Sequence, residues 1–434
     1  MASPSLTPAA HPPLPDADSP PPLPDADSPP PPPDDDAPPP PAQDPQASLP
    51  ADLLEDIFLR LPTTSDLARA SAACAAFRQI VTALPFRRRF RSVHRPPVLG
   101  FLRDDFYPCK PPHASAPAAR ALAQAADFAF SFLPNAAGWS PRDARDGRVL
   151  FSAVPASHGR GDFADATSTT FVDLVVCDPL SRRYVQIPPV PDDVAASIEG
   201  CGMLDFEPFL APASSEDLQE VEPPFRVIGK VLCETKVAVF AFSSRTGKWS
   251  CHGSSALSND VVLDALYERR HYVHGCFCWL LEWMEKLLML DAHTMEFSII
   301  DLPPGNDERR LAILEAGEGR LGLLNIGRNT LDLYYKVWRN RGDGKQEWKH
   351  ETMEHPLPDY HWRIIGSDEE YLLLRGISLD WPWFGNSSSQ GPDIEYFALE
   401  LKALRLERMY VSKHKMLHAH LYRGFSPAFS SPSI

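Results

Sequence analysis

Apolar residues at helical spacing mark the stretch from residue 48 to about residue 84. The first run consists of Leu53, Leu54, Ile57 and Leu61. Pro62 ends this run near Arg60, because the residue before a proline disfavours helical backbone. An apolar face then returns from Leu67 through to Val81, with Ser65 or Asp66 as its candidate cap. The pattern predicts two or three short helices.

From about residue 93 the pattern changes to short apolar strands separated by polar turns. A strand, a tight turn and a second strand with an aromatic start recur, and the aromatic residues of four copies are Tyr184, Trp249, Phe297 and Trp348. Their separations are 65, 48 and 51 residues. A period of about 50 residues is typical of kelch-like propeller blades. Residues 93–412 are therefore predicted to form an all-β propeller of four-stranded antiparallel blades.

The repeats also predict the number of blades. Five repeats are predicted from around Gly138, and Val98–Leu102 with Phe128–Phe132 are candidates for a sixth. Irregular loops are expected at 107–126, 153–169 and 188–224. Residues 413–434, which include three histidines, are expected to be a solvated tail.

Residues 1–47 have a different composition. They contain 19 of the 47 prolines, eight Asp and no Lys or Arg, so they contribute eight units of the net charge of −15. The nine-residue unit PPLPDADSP occurs in tandem at 12–20 and 21–29. Such a segment cannot bury a core, and disorder is predicted. A solvating spacer and a polyproline docking ligand are both compatible with this composition.

The helical stretch resembles an F-box over about 48–84, and we assign residues 48–92 to this module and its junction. An LPxxLLxxI opening, an RLP break, a DL restart and a Cys before an aromatic-Arg pair occur in order. The family usually has Trp where Phe77 stands. The resemblance implies docking on a Skp-family adaptor, and the implied adaptor-binding residues are Leu49, Pro50, Leu53, Leu54, Ile57, Leu61, Pro62, Leu67, Cys74 and Phe77.

The strand-rich part resembles the propeller-type F-box-associated domain of large plant families, particularly those of grasses. The implied fold is α+β multidomain: short all-α F-box helices, then an all-β kelch-like propeller, preceded by the disordered Pro/Asp-rich tail. The implied function is the substrate-recognition subunit of an SCF-type cullin-RING E3 ubiquitin ligase. In that role the chain binds the adaptor and cullin scaffold through the F-box, and an unknown client protein through the propeller.

An alternative remains open, in which the chain is a ligase-independent propeller interaction protein or transcriptional adaptor. Phe77 and the basic run at 87–91 motivate it. The basic run is interpreted as a solvated junction, and a nucleic-acid partner is not favoured.

The candidate client-binding residues are Trp381, Trp383 and Phe384. They lie between Asp380 and Gly385, and Pro382 argues against a central strand there. Exposed aromatic residues are favoured binding hot spots. Burial of these residues under the final blade is an equally open interpretation.

Catalytic motifs are missing from the sequence: it has no GxSxG, GxxxxGK[ST] or HExxH, and no kinase signature set. We therefore expect a non-catalytic subunit with no cofactor and no metal. Cys276 and Cys278 alternate on one strand face and are interpreted as buried small hydrophobes. The eight cysteines lack framework spacing, so reduced thiols are expected.

Targeting signals are also missing. Neither a secretory signal nor an apolar run of about 18 residues is seen. We therefore expect a cytoplasmic or nuclear protein, or one found in both compartments, that does not insert in a membrane. The acidic pair Glu369-Glu370 is expected to lie solvated in a turn.

Overall fold

The computed structural model of the chain describes a set of ranges that begins at Leu49. They are 49–135, 138–154, 170–213, 223–256, 269–281, 285–304, 310–327, 330–337, 347–354, 359–380, 391–425 and 427. The helices and strands given below belong to one compact unit, which starts at Ala51. Residues 1–50 form the other unit, of which only Leu49 and Pro50 are described. The predicted disorder of residues 1–47 therefore lies outside the described residues.

Four short helices follow Pro50. They are α1 (Ala51–Leu59), α2 (Thr64–Ala73), α3 (Ala75–Thr82) and α4 (Leu84–Val93). The first three lie in the stretch for which the apolar spacing predicts two or three helices, and the fourth follows that stretch. The cap of α2 is Thr63, whose hydroxyl oxygen accepts a hydrogen bond from the backbone N–H of Asp66 at 3.1 Å. The expected caps Ser65 and Asp66 are wrong, because both residues already lie within the helix.

Five four-stranded antiparallel sheets follow in chain order. The first comprises β3 (Trp139–Arg145), β4 (Arg148–Ala153), β5 (Leu174–Asp178) and β6 (Arg183–Ile187). The second comprises β7 (Met203–Leu210), β8 (Arg226–Cys233), β9 (Lys236–Ser243) and β10 (Lys248–Ala256). A helix, α6 (Asp192–Ala195), and the 3₁₀ turn Ala196–Ile198 connect the two sheets.

The remaining four-stranded blades repeat this order. The third comprises β11 (Arg270–Val273), β12 (Cys276–Leu281), β13 (Lys286–Asp291) and β14 (Phe297–Asp301). The fourth comprises β15 (Leu311–Glu315), β16 (Arg320–Ile326), β17 (Thr330–Val337) and β18 (Lys349–Glu354). The fifth comprises β19 (Tyr360–Ser367), β20 (Tyr371–Ser378), β21 (Ile394–Glu400) and β22 (Arg405–Ser412).

The sixth blade closes the ring with strands from both ends of the propeller. It comprises β1 (Val98–Leu102), β2 (Phe106–Pro108) and β23 (His420–Arg423), in the order β2-β1-β23. The first strands of neighbouring blades lie side by side, and β23 takes the first-strand position between β19 and β3. The fold is therefore a six-bladed propeller, and ring closure depends on the C-terminal strand.

The residues in and around the sixth blade differ from three of the predictions made from the sequence. Val98–Leu102 does build a sixth blade, but Phe128–Phe132 is not a strand. The predicted loop at 107–126 contains α5 (Ala116–Ala125), which packs near β1 and β2. The segment 413–434 is not simply a solvated tail, because His420–Arg423 pairs with β1.

The aromatic repeat identified in the sequence has a structural role. Tyr184, Trp249 and Phe297 lie on the fourth strands of their blades, and Trp348 comes directly before β18. Trp249 donates its indole N–H to the carbonyl of Pro188 at 2.7 Å, and Trp348 donates to the carbonyl of Asp301 at 3.2 Å. Both acceptors lie at the outer strand of the preceding blade. These tryptophans therefore join adjacent blades.

The structure confirms only part of what the sequence predicts for the cysteines. Cys276 and Cys278 are buried, which confirms them as small core residues. Cys201 and Cys233, however, form a disulfide whose Cα atoms are 5.8 Å apart. The expectation of reduced thiols throughout is therefore wrong for this pair. The two cysteines are 32 residues apart in the sequence, so no local pattern predicts their contact. They come together because Met203 pairs with Cys233 across β7 and β8.

The propeller has two distinguishable sides. The turn Asp368–Glu370, between β19 and β20, contacts Arg95 and Arg423 beside the helices. We call this the helix side. Because successive strands of a blade are antiparallel, β20 ends and β21 begins at the opposite end of the blade, which we call the distal side.

Gly366 is expected to be intolerant of any side chain. A Cβ at this position would lie 2.2 Å from the carbonyl oxygen of Ala419, in the segment that leads into β23. That oxygen belongs to the backbone, so Gly366→Ala must displace the closing segment from β19. We expect a loss of about 1–3 kcal/mol in the free energy of unfolding, measured by urea denaturation. Gly391→Ala is the control, because no atom of the described residues lies within 4 Å of the place that its added methyl group would take, and equal losses in both variants would contradict the prediction.

Candidate adaptor-binding surface and its attachment

The helix α1 has two apolar faces with different environments. Leu54 and Phe58 are buried, whereas Leu53 and Ile57 remain 51% and 47% exposed. Leu53 and Ile57 are four residues apart and therefore lie on the same helix face. We call these two residues the exposed apolar face. The adaptor-binding set predicted from the sequence thus contains residues in two different environments.

The buried face belongs to a small core shared by the four helices. Its buried members are Leu54, Phe58, Leu67, Val81, Phe86, Phe90 and Phe425. The ring of Phe58 makes edge contacts with Phe77 and Phe86, at centroid distances of 5.1 and 6.5 Å. Leu54 and Leu67 therefore support the module from inside and are not accessible to a partner.

The other predicted adaptor-binding residues lie at intermediate or exposed positions. Leu49 and Pro50 are exposed, as is Pro62, while Leu61 is partly buried against the helical core. Cys74 is partly buried and separates α2 from α3 in an extended conformation. Phe77 packs on Phe58, so its ring fills an aromatic site within the module.

The basic run is held within the helical module. The guanidinium of Arg89 lies 2.7 Å from a carboxylate oxygen of Glu55 and 3.4 Å from one of Asp56, which joins α4 to α1. Arg87 donates to the backbone carbonyl of Thr82. These contacts support the interpretation of a junction, because both side chains stabilise the packing of α4.

The helical module is joined to the propeller by the segment after β23. Phe425 enters the helical core, with its ring centroid 6.2 Å from that of Phe90. Arg423 on β23 forms ion pairs with Asp368 and Glu370, and Arg95 also reaches Glu370 at 2.5 Å. The strand that closes the ring therefore also anchors the helices.

The acidic turn is correspondingly not solvated. Glu369 pairs with Arg145 on β3, and Glu370 pairs with Arg423 and Arg95. Burial alone would raise the pKa of Glu369, but Arg145 outweighs burial and holds that pKa below its ordinary value. The expectation of a merely solvated pair is wrong, because the turn receives arginines from three separate segments.

A second charge network lies among the first strands of the blades. Arg270 contacts Asp143 at 2.9 Å and Glu207 at 2.6 Å, and Glu207 also accepts from the buried Lys230 at 3.0 Å. Burial favours the neutral carboxyl, yet the neighbouring cations keep the pKa values of Asp143 and Glu207 below their ordinary range. This network is fully compensated and is structural.

Two buried histidines should make the propeller sensitive to acid. Burial lowers the pKa of His271 and of His420 to about 3, whereas an unfolded histidine titrates near about 6.5. The unfolded state therefore binds more protons below that pH. We expect the free energy of unfolding to decrease as the pH falls from about 6.5 toward 3, as measured by urea denaturation.

The histidine contribution can be separated from that of the carboxylates. His271→Leu removes one titrating group from a face that it shares with the buried Val273. This variant should lose part of the pH dependence between about pH 6.5 and pH 5, above the range in which carboxylates titrate. A variant with the full wild-type slope would contradict the assignment.

Within the described ranges, no three His, Cys, Asp or Glu side chains come together as a set of metal ligands. The described helices are all too short or too polar to cross a bilayer. Trp381, Trp383 and Phe384 lie outside the described residues, which stop at Asp380 and resume at Gly391.

Comparison with protein families identifies the helical module. Residues 46–92 match the F-box-like family. The chain therefore has an F-box-like domain followed by a six-bladed β-propeller. No catalytic family is indicated. No curated protein matches the chain.

Several solved structures are distantly similar to this chain. A protein from Lactobacillus plantarum is 13% identical, with a TM-score of 0.30, over 61% of this chain and 67% of that one. The β-propeller domain of the Trilobed protease from Pyrococcus furiosus is 12% identical, with a TM-score of 0.29, over 62% and 69%. The tricorn protease is 8% identical, with a TM-score of 0.29, over 62% of this chain and 30% of that one. These likenesses carry no inference about function.

Proposed function

We propose that the chain is the substrate-recognition subunit of an SCF-type cullin-RING ubiquitin ligase. The F-box-like domain docks on a Skp-family adaptor, which connects it to the cullin scaffold, and the propeller binds a client protein. The chain itself is non-catalytic and acts in the cytoplasm, the nucleus or both. The combination of an F-box-like domain with a propeller fits this role.

The observation that carries the proposal is the exposed apolar face of α1. Leu53 and Ile57 stay half exposed, although the same short helix buries Leu54 and Phe58. Adjacent apolar side chains left in water on a small helical module are typical of a protein-binding surface. A helix-in-groove or helix-on-helix contact would bury them.

The attachment of the module supports the second half of the proposal. Phe425 lies in the helical core and Arg423 is paired with the acidic turn of the fifth blade. A receptor increases the local concentration of its client near the transferred ubiquitin, and a fixed geometry preserves that gain. The aromatic residues Trp381, Trp383 and Phe384 stay a prediction for the client contact.

Affinity purification with the proteasome blocked tests the proposal against the ligase-independent alternative. The wild-type chain should co-purify an adaptor, a cullin and clients. The Leu53→Ala/Ile57→Ala variant should lose the adaptor and cullin but retain the clients, because its propeller is unchanged. An absence of adaptor and cullin from the wild-type sample would favour the alternative.

A further inference from the structure

Three basic side chains meet where the fifth blade borders the closing segment. Arg363 on β19 is directly opposite Arg375 on β20. Lys415 lies in the segment between β22 and β23, next to Met416, whose carbonyl accepts from Arg375 Nη1 at 2.8 Å. We call Arg363, Arg375 and Lys415 the basic cluster.

The charge of Arg375 is buried without a compensating anion. Its side chain is only 6% exposed, and its Nε has no hydrogen-bond partner in the described part of the chain. Arginine stays protonated in proteins, so the charge cannot be lost. Like charges directly opposite each other in a sheet are destabilising, and a buried charge needs a partner.

Two partly buried arginines of this protein, by contrast, have carboxylate partners. Arg270 is paired with Asp143 and Glu207, and Arg423 with Asp368 and Glu370. Among the described residues, none of the three side chains in the basic cluster forms an ion pair with Asp or Glu.

The neighbouring carboxylate, that of Glu395, does not compensate the charge of Arg375. Glu395 is one residue before Tyr396, which is opposite Arg375 in the sheet, so its side chain lies on the other face. There it accepts from Tyr360 at 2.5 Å and from Arg408 at 3.1 Å. Burial and Arg363 lower the pKa of Arg375, while Arg375, burial and Arg363 lower the pKa of Lys415.

The backbone around the basic cluster is held in place by direct hydrogen bonds. The Tyr396 hydroxyl donates to the carbonyl of His414 at 2.7 Å and accepts from the N–H of Met416 at 3.1 Å. Ala419 N–H donates to the carbonyl of Ile365 at 2.9 Å. Binding at this position would therefore require little additional ordering of the chain.

We infer that the basic cluster is a binding site for a phosphoryl group. Planar guanidinium donors match phosphate oxygens, and a lysine ammonium adds a compact positive charge. A phosphoryl dianion compensates more of the three positive charges than a single carboxylate does. Arg363 is half-buried and Lys415 is exposed, so the cluster is open to solvent on one side.

The phosphoryl group can come from a small molecule or from a phosphorylated side chain. Both sources present the same oxygens to the cluster. The inference goes beyond the proposed ligase function and does not depend on adaptor docking, because the exposed apolar face belongs to a different module. A result that contradicts the phosphoryl-binding site would therefore not contradict the proposed ligase function, and the reverse also holds.

Calorimetry on the full chain tests the site with two probes, inorganic phosphate and O-phosphoserine, against sodium chloride of equal ionic strength. At least one phosphate probe should bind with one-to-one stoichiometry and raise the melting temperature. Arg363→Gln/Lys415→Gln should weaken that binding about 10- to 100-fold, which is typical of lost charged hydrogen bonds. Tighter binding of O-phosphoserine than of phosphate would identify a phosphorylated side chain as the source, and the reverse would identify a small anion.

The matched control removes the same charge elsewhere. Lys413 is paired with Asp393 and Arg405 with Glu400, so Lys413→Gln/Arg405→Gln should leave phosphate affinity unchanged.

In chloride, Arg363→Gln should not lower the melting temperature, because it removes a repulsive neighbour of Arg375. If the cluster double variant fails to fold, Lys415→Gln carries the test and should still weaken binding about tenfold. Absence of binding by both probes, or equal binding by wild type and the cluster variant, overturns the inference.

Discussion

Replacement of both Leu53 and Ile57 by alanine is expected to weaken adaptor binding by at least about 100-fold. Both side chains are half exposed on one face of α1 and become buried only when a partner covers them. Each truncation removes apolar contact area from the centre of the proposed interface. The melting temperature should change little, because substitutions at exposed positions usually have small effects on stability. Binding is measured with purified adaptor by calorimetry.

Two controls separate binding from folding. Val93→Ala truncates another exposed apolar residue of the module, on α4, and should leave the affinity unchanged. Leu54→Ala acts inside the helical core and should lower the free energy of unfolding by about 2–5 kcal/mol. If the Leu53→Ala/Ile57→Ala protein binds the adaptor as tightly as wild type, the exposed apolar face is not the docking surface.

Deletion of residues 413–434 is expected to abolish cooperative unfolding of the propeller. The deletion removes β23, which pairs with β1 and separates β19 from β3. It also removes Arg423 and Phe425, which hold the acidic turn and the helical core. The ring would be left open, with unpaired strand edges and exposed apolar surface. Thermal denaturation followed by circular dichroism measures the loss.

A single substitution distinguishes the two roles of this segment. Phe425→Ala keeps β23 and should destabilise the helical module, at a cost of about 3–5 kcal/mol, while the propeller keeps its transition. Hydrogen exchange would then increase in α1 and α4 but not in the central strands. A deletion variant with the melting temperature of the wild type would contradict the closing role of β23.

Local hairpins are the part of the fold that the sequence predicts well. The strand-turn-strand copies at Tyr184, Trp249 and Phe297 correspond to the third and fourth strands of successive blades. These pairings join residues close in sequence, so turn chemistry and alternation are sufficient to identify them. Thr63 also shows the limit of such rules, since they favoured Ser65 or Asp66 as the cap of α2.

Long-range contacts are the part that the sequence does not reveal. Val98 pairs with Arg423 across the whole propeller, and no local pattern links two segments so far apart. Phe128–Phe132 alternates like a strand, but the ring of Phe128 instead packs against Phe106 and Tyr422, and the ring of Phe130 packs against Phe151. The disulfide between Cys201 and Cys233 is hidden for the same reason.

The candidate site was only partly predictable. The motif order indicates which segment binds the adaptor, but Leu53 and Leu54 are adjacent apolar residues with equal claims on the interface. Leu54 is buried and Leu53 is exposed, because the helical core that contains the rings of Phe58, Phe86 and Phe90 lies on the Leu54 side of α1. Phe425 completes that core from more than 300 positions away, so the outer face can be recognised only after folding.

Binding of the full chain to a purified Skp-family adaptor tests the central claim most directly. Calorimetry and size-exclusion chromatography with light scattering should show a saturable one-to-one complex, to which a cullin scaffold adds as a third component. An intact cooperative unfolding transition, measured on the same preparation, establishes that the chain is folded. A folded chain that forms no complex with the adaptor would contradict the assignment as a ligase receptor.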